Sequence, residues 1–195
     1  MIAKPLRFLA TLFLVLLFPI AAVAQTPHLQ RFMVETDPSS LVEGADGFGA
    51  IRADAPVAPL LRGTERIGWA FVTSDFVGTT GYSGKPIHIM VAVDDASNIL
   101  GINLVHHSEP IVLIGIPEAR IREAIGGQIG LNLAELANGG EGPELNIISG
   151  ATVTIMVIDD SIQRSGIRVA RLLGLGGLTA QAPATGPRFD INTEV

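Results

Sequence analysis

The chain has 195 residues, of which 48% are hydrophobic and 16% charged, with a formal net charge of -6 and no cysteine. Without cysteine there are no thiolate metal sites, iron–sulfur clusters, disulfides or cysteine nucleophiles in this chain. Of the first 24 residues, 19 are hydrophobic; the remaining 171 are roughly 44% hydrophobic, ordinary for one globular domain. Those 171 residues carry eleven cations against nineteen acids, a net charge of -8, and Lys85 is their only lysine. Binding to nucleic acid runs on neutralising phosphates, so no direct nucleic-acid role is expected of this body.

Residues 1–24 read as a secretory signal peptide. Lys4 and Arg7 make a short positive region, an apolar run from Phe8 to Phe18 follows, and Ala22-Val23-Ala24 offers a small-residue cleavage site. The run is shorter than the roughly 20 apolar residues a membrane-spanning helix needs. Export to the periplasm, or to the periplasmic face of the cytoplasmic membrane, is the expectation.

Residues 25–65 show little periodicity and many prolines, and are read as an irregular N-terminal extension with a short helical turn over Leu41 to Phe48. From 66 to 175 the pattern sharpens. Arg66 to Thr73 is rich in aromatic and branched residues and reads as a strand. Gly78 to Gly84 is a turn. Pro86 to Asp94 alternates as a strand, with Ile87, Ile89, Val91 and Val93 on one face, and Asp95 to Asn98 turns into a second strand from Ile99 to His107. Pro117 to Ile125 starts with proline, as helices commonly do. A glycine-rich stretch follows, loosely helical near Leu131 to Leu136, and Thr152 to Leu173 is the longest helical pattern, ended by Gly174. Residues 176–195 read as a disordered tail. The fold class is α+β: a small antiparallel sheet packed with helices.

The segment with most chemical content is Ser149-Gly150-Ala151-Thr152, immediately before the long helix. Gly150 permits a tight turn, and the first amides of the helix lack intrahelical partners and favour an anion. A hydroxyl at Thr152 stands inside that field. A plain Ser/Thr cap that needs no ligand fits the same spacing.

Asn146 to Thr152 (N-I-I-S-G-A-T) resembles the flavinylation motif D-x-x-[ST]-G-A-[ST] of the FMN-binding domain family, found in NqrC, RnfG and the periplasmic part of NosR. Three more blocks, Gly81-Tyr82-Ser83-Gly84-Lys85-Pro86-Ile87, His107-Ser108-Glu109-Pro110-Ile111 and Ile114-Gly115-Ile116-Pro117, resemble the NosR/NirI branch in order. The resemblance covers roughly Leu41 to Arg171. It implies FMN as cofactor, joined to Thr152 by a phosphoester that a separate periplasmic flavin transferase of the ApbE type installs. Asn146 departs from the family's usual aspartate: it keeps the shape and one acceptor oxygen but no charge.

Around that motif, Ser149, Gly150 and Ala151 are expected to shape the phosphate end. Tyr82 can stack on an aromatic ring, Lys85 can reach a phosphate or a reduced flavin, and His107 with Glu109 resembles the family's segment beside the isoalloxazine ring. No residue is assigned a catalytic role. Adjacent His106 and His107 point to opposite strand faces, and with His88 and a remote His28 they give no metal spacing. The resemblance points to an electron-transfer domain supporting nitrous oxide reductase in denitrification, with membrane redox partners or the reductase system as its neighbours. The alternatives are a redox-sensing or assembly module without turnover, and a truncated remnant of a NosR-like membrane protein, since the chain stops at Val195 with no second hydrophobic span.

Overall fold

The computed structural model describes residues 26–110 and 115–179; the signal segment, Ile111 to Ile114 and most of the 176–195 tail lie outside the described residues. Five strands form one antiparallel sheet in chain order: β1 (Gly47–Phe48), β2 (Val57–Arg62), β3 (Glu65–Val72), β4 (His88–Val93) and β5 (Ile99–His106). The helices are α1 (His28–Glu35), α2 (Pro38–Leu41), α3 (Glu118–Gly126), α4 (Leu133–Ala137) and α5 (Thr152–Leu173). This is an α+β fold with every strand pair antiparallel.

Both faces of the sheet are covered. All six residues of β4 are buried. Ile87, Ile89, Val91 and Val93 share a core with Ile155, Ile158, Ile162 and Val169 of α5 and Ile121 of α3. Met90 and Ala92 join Ala58, Leu60, Ala70 and Val72 under Leu29 and Phe32 of α1 and Leu41 beside them. A helix on either face removes both sides of the sheet from water, and the apolar area so buried supplies most of the stabilisation.

The long helix begins at Thr152 and ends where Gly174 turns left-handed (φ 71°), as its pattern predicts. The 25–65 segment does not match its expectation. It holds α1, α2, β1 and β2, and β2 and β3 pair from Val57↔Phe71 to Arg62↔Glu65. The helical turn expected over Leu41 to Phe48 falls earlier, where Asp37 caps Ser39 at 3.0 Å and Pro38 opens the turn. Gly44 (φ 78°) then reverses the chain into β1.

His28, remote in sequence, is not remote in space: its ring centroid lies 4.6 Å from that of His88, and that of His106 lies 5.8 Å from His88. Phe32 stacks on this group. His88 is 9% exposed and shares a 2.6 Å hydrogen bond with the Ser74 hydroxyl through Nδ1. His107 faces the other way, toward Glu118.

Candidate functional site

The start of α5 has no side-chain cap, because its N-cap position is Ala151. The first helical bond to that cap runs from the Ile155 amide to the Ala151 carbonyl at 2.9 Å. Among the described residues, the amides of Thr152, Val153 and Thr154 find no protein acceptor. No acid sits in the first turn, and Arg171 lies in the last. A 22-residue helix therefore presents its positive end and three vacant donors at one point, which suits a phosphate. Gly150, at φ 87°, makes the turn that brings the chain into this helix and adds no side chain beside it.

That helix end opens onto a cleft of about 420 Å³ lined by Tyr82, Pro110, Gly150, Ala151, Thr152, Val153 and Thr154. The two threonines are in different surroundings. Thr152 is exposed and its hydroxyl has no partner among the described residues. Thr154 is 4% exposed and donates its hydroxyl to Glu109 Oε2 at 2.8 Å.

Across the cleft, residues 80–86 form a turn in which the Gly84 amide donates to the Gly81 carbonyl and the Gly81 amide to the Lys85 carbonyl, both at 3.0 Å. Tyr82 at its tip is 77% exposed. Glu109, 6% exposed, accepts the Tyr82 amide through Oε2 and the Ser83 amide through Oε1, each at 3.0 Å. Burial pushes its carboxyl up, but the bonds from Ser83, Thr154 and Tyr82 outweigh burial and hold it below the ordinary carboxylate value. A Cβ on Gly81 would overlap the Glu109 carboxyl group, so any larger residue here displaces that carboxylate.

The residues expected at the site fall into three groups. Tyr82, Gly150, Ala151 and Thr152 line the cleft. Glu109 lies behind it, bonded to backbone and to Thr154. Lys85 and Ser149 are exposed and His107 is half-buried, and none of the three is among the cleft-lining residues. His107 accepts the Glu109 amide at Nδ1 (3.1 Å) and places Nε2 3.5 Å from Glu118. Pro110, Val153 and Thr154 line the cleft without having been expected there. Pro110 lies within the His107 to Ile111 block, and Val153 and Thr154 directly follow the S-G-A-T motif, so the wall is built from the motif blocks and their continuation. Asn146 lies away from the cleft, in a narrow crevice with Gln128 and Asp159. Desolvation there, with Asp160 adjacent, raises the Asp159 carboxyl above its usual range.

The FMN-binding domain model matches residues 81–165, from the Gly81 turn to the middle of α5. The chain carries an FMN-binding domain of the NosR/NirI family. It is 30% identical over 175 residues to the regulatory protein NosR of Stutzerimonas stutzeri, covering 86% of this chain and 23% of that protein. To NosR of Pseudomonas aeruginosa it is 31% identical over 157 residues, 78% of this chain and 21% of the relative. To the protein NirI of Paracoccus denitrificans it is 36% identical over 153 residues, 72% and 22%. The chain thus spans less than a quarter of the length of the curated relatives it matches. No solved structure matches it.

FMN is the cofactor of this domain, and the residues present fit it. The vacant amides of Thr152, Val153 and Thr154 suit the phosphate, and the mainly apolar cleft with exposed Tyr82 beside it suits a flat aromatic ring. No lysine or arginine lines the cleft among the described residues, so the helix end supplies the positive field. No described helix is long and apolar enough to cross a membrane.

Proposed function

We propose that this domain is an exported, periplasmic electron-transfer module that carries FMN covalently on Thr152. The observation that carries the reading is the Thr152 hydroxyl, exposed at the cleft mouth within the field of three vacant amides while Thr154 is committed internally. In attachment, the Thr152 hydroxyl would give its proton to a base of an ApbE-type transferase and bond to the flavin-side phosphorus of flavin adenine dinucleotide, while the phosphoanhydride breaks and AMP leaves. The amides at the helix start then hold the phosphoester, and the protein sets the exposure and surroundings of the ring. Bound flavin supplies one- and two-electron chemistry, which the polypeptide alone lacks. The likeness to NosR and NirI supports a role beside nitrous oxide reductase in denitrification, with membrane redox partners or that reductase system exchanging its electrons. The names of the two NosR relatives also read "regulatory protein", which favours a second reading as a redox-sensing or assembly module.

The test is co-expression with a flavin transferase followed by denaturing electrophoresis. The wild-type band fluoresces under ultraviolet light and Thr152→Ala does not. A dark wild-type band refutes covalent attachment, and a native protein that never takes up flavin refutes the FMN role of this chain. Reversible reduction and reoxidation by a partner protein separates a carrier from an assembly module.

A further inference from the structure

The two walls of the cleft come from distant parts of the chain, and one carboxylate joins them. Glu109 Oε2 takes the Tyr82 amide and the Thr154 hydroxyl, and Oε1 takes the Ser83 amide. Its own amide donates to His107 Nδ1, and His107 reaches Glu118 at the start of α3, so the backbone that carries the carboxylate is fixed as well. Gly81 lacks the Cβ that would strike all three atoms of the carboxyl group.

We infer that Glu109 is a positioning residue: it holds the 80–86 turn against the first turn of α5 and so sets Tyr82 and Thr152 on facing walls, without itself touching the flavin. The inference rests on the reading of Thr152 as the attachment residue. The chemistry requires a carboxylate rather than a carboxamide. Three donors converge on this group, and an ionised carboxyl offers acceptors on both oxygens. A glutamine of the same shape has one oxygen; its NH2 would face either the Ser83 amide or the Tyr82 amide and Thr154 hydroxyl, donor against donor. The negative charge also lies beside the positive end of α5, where it is favoured.

The consequence is that the cleft is assembled before any flavin arrives. Side chains that touch ligand are then placed by a group the ligand never meets, as is usual where a binding constellation depends on a supporting layer.

The experiment uses the full chain without flavin, as wild type, Glu109→Gln and Thr154→Val. Amide hydrogen exchange is followed at Tyr82 and Ser83, with Ile89 and Val91 of β4 as reference amides, and labelling by a flavin transferase is timed at saturating enzyme. In Glu109→Gln, exchange at Tyr82 or Ser83 rises about tenfold or more, as expected when a bond to a charged acceptor is lost. The β4 amides keep their rates, and labelling slows at least tenfold. Thr154→Val, which removes one of the three bonds, moves both readouts the same way by less, and decides the matter if Glu109→Gln does not fold. Unchanged exchange and labelling in a folded Glu109→Gln overturns the inference. A wild type that is never labelled refutes Thr152 as the attachment residue, and the exchange rates alone then decide the role of Glu109.

Discussion

His88 makes the folded domain sensitive to acid in a defined window. Burial is the largest cause that pushes its imidazole down, with the His28, His106 and Arg31 charges adding to it, from 6.5 to about 4. Above pH 6.5 the ring is neutral in both the folded and unfolded chain, and its contribution to stability is fully present. Between 6.5 and about 4 the unfolded chain binds a proton that the folded chain refuses, so stability falls as pH drops. Below about 4 the loss levels off. A shift of this size corresponds to a loss of at most about 3 kcal/mol across the window, since one pKa unit is about 1.4 kcal/mol. The perturbation is His88→Gln, which retains a polar partner for Ser74 and removes the titration. Urea unfolding of both proteins at pH 7.5, 6.5, 5.5, 4.5 and 4 measures it. The wild-type loss exceeds that of the variant, and the difference between the two curves widens steadily from pH 6.5 to 4. Acids elsewhere, including Glu109 and Glu118, titrate alike in both proteins and cancel. A constant difference across that range would show that the ring is not kept neutral by its surroundings.

Gly81→Ala places a methyl against the Glu109 carboxylate and is expected to cost about 2–4 kcal/mol in denaturant melts. Gly84→Ala meets no atom within 4 Å and suffers only from its φ of 72°, about 1 kcal/mol, so equal losses would count against the clash. Asp75→Ala removes the carboxylate that accepts the His28 and Leu29 amides at 2.8 and 2.9 Å; fraying of α1, read by hydrogen exchange, and a loss of about 1–2 kcal/mol are expected. Gly101→Ala would drive a Cβ into the Leu41 carbonyl, and a folded variant with unchanged melting would contradict that packing.

What the sequence revealed follows the range of the interactions that build each element. β4 and β5 alternate within themselves, and α5 carries a broad apolar stripe and a terminal glycine, so local pattern sufficed. α1 is eight residues long and has no cap of its own; its first amides are taken by Asp75, 46 and 47 residues away. β2 contains Pro59, which argues against a strand interior. The Pro59 carbonyl accepts the Gly49 amide at 2.8 Å, so its missing donor falls beside the two-residue edge strand β1, where a ladder bond is least missed. At the site, the S-G-A-T motif marked the helix end and Thr152 directly. The role of Glu109 was not legible, because its partners are two amides and a threonine from distant segments.

The covering of β4 on both faces also sets what can be moved as a unit. The matched stretch 81–165 contains only β4 and β5 of the five strands and neither helix of the second face. Cut out alone, it would leave β4 without β3 along one edge and Met90 and Ala92 without Leu29, Phe32 and Leu41 above them. A long apolar strand with an open edge pairs readily with its own copies. The portable flavin module is therefore longer than its recognisable motif, and a graft that begins at α1 keeps both faces closed.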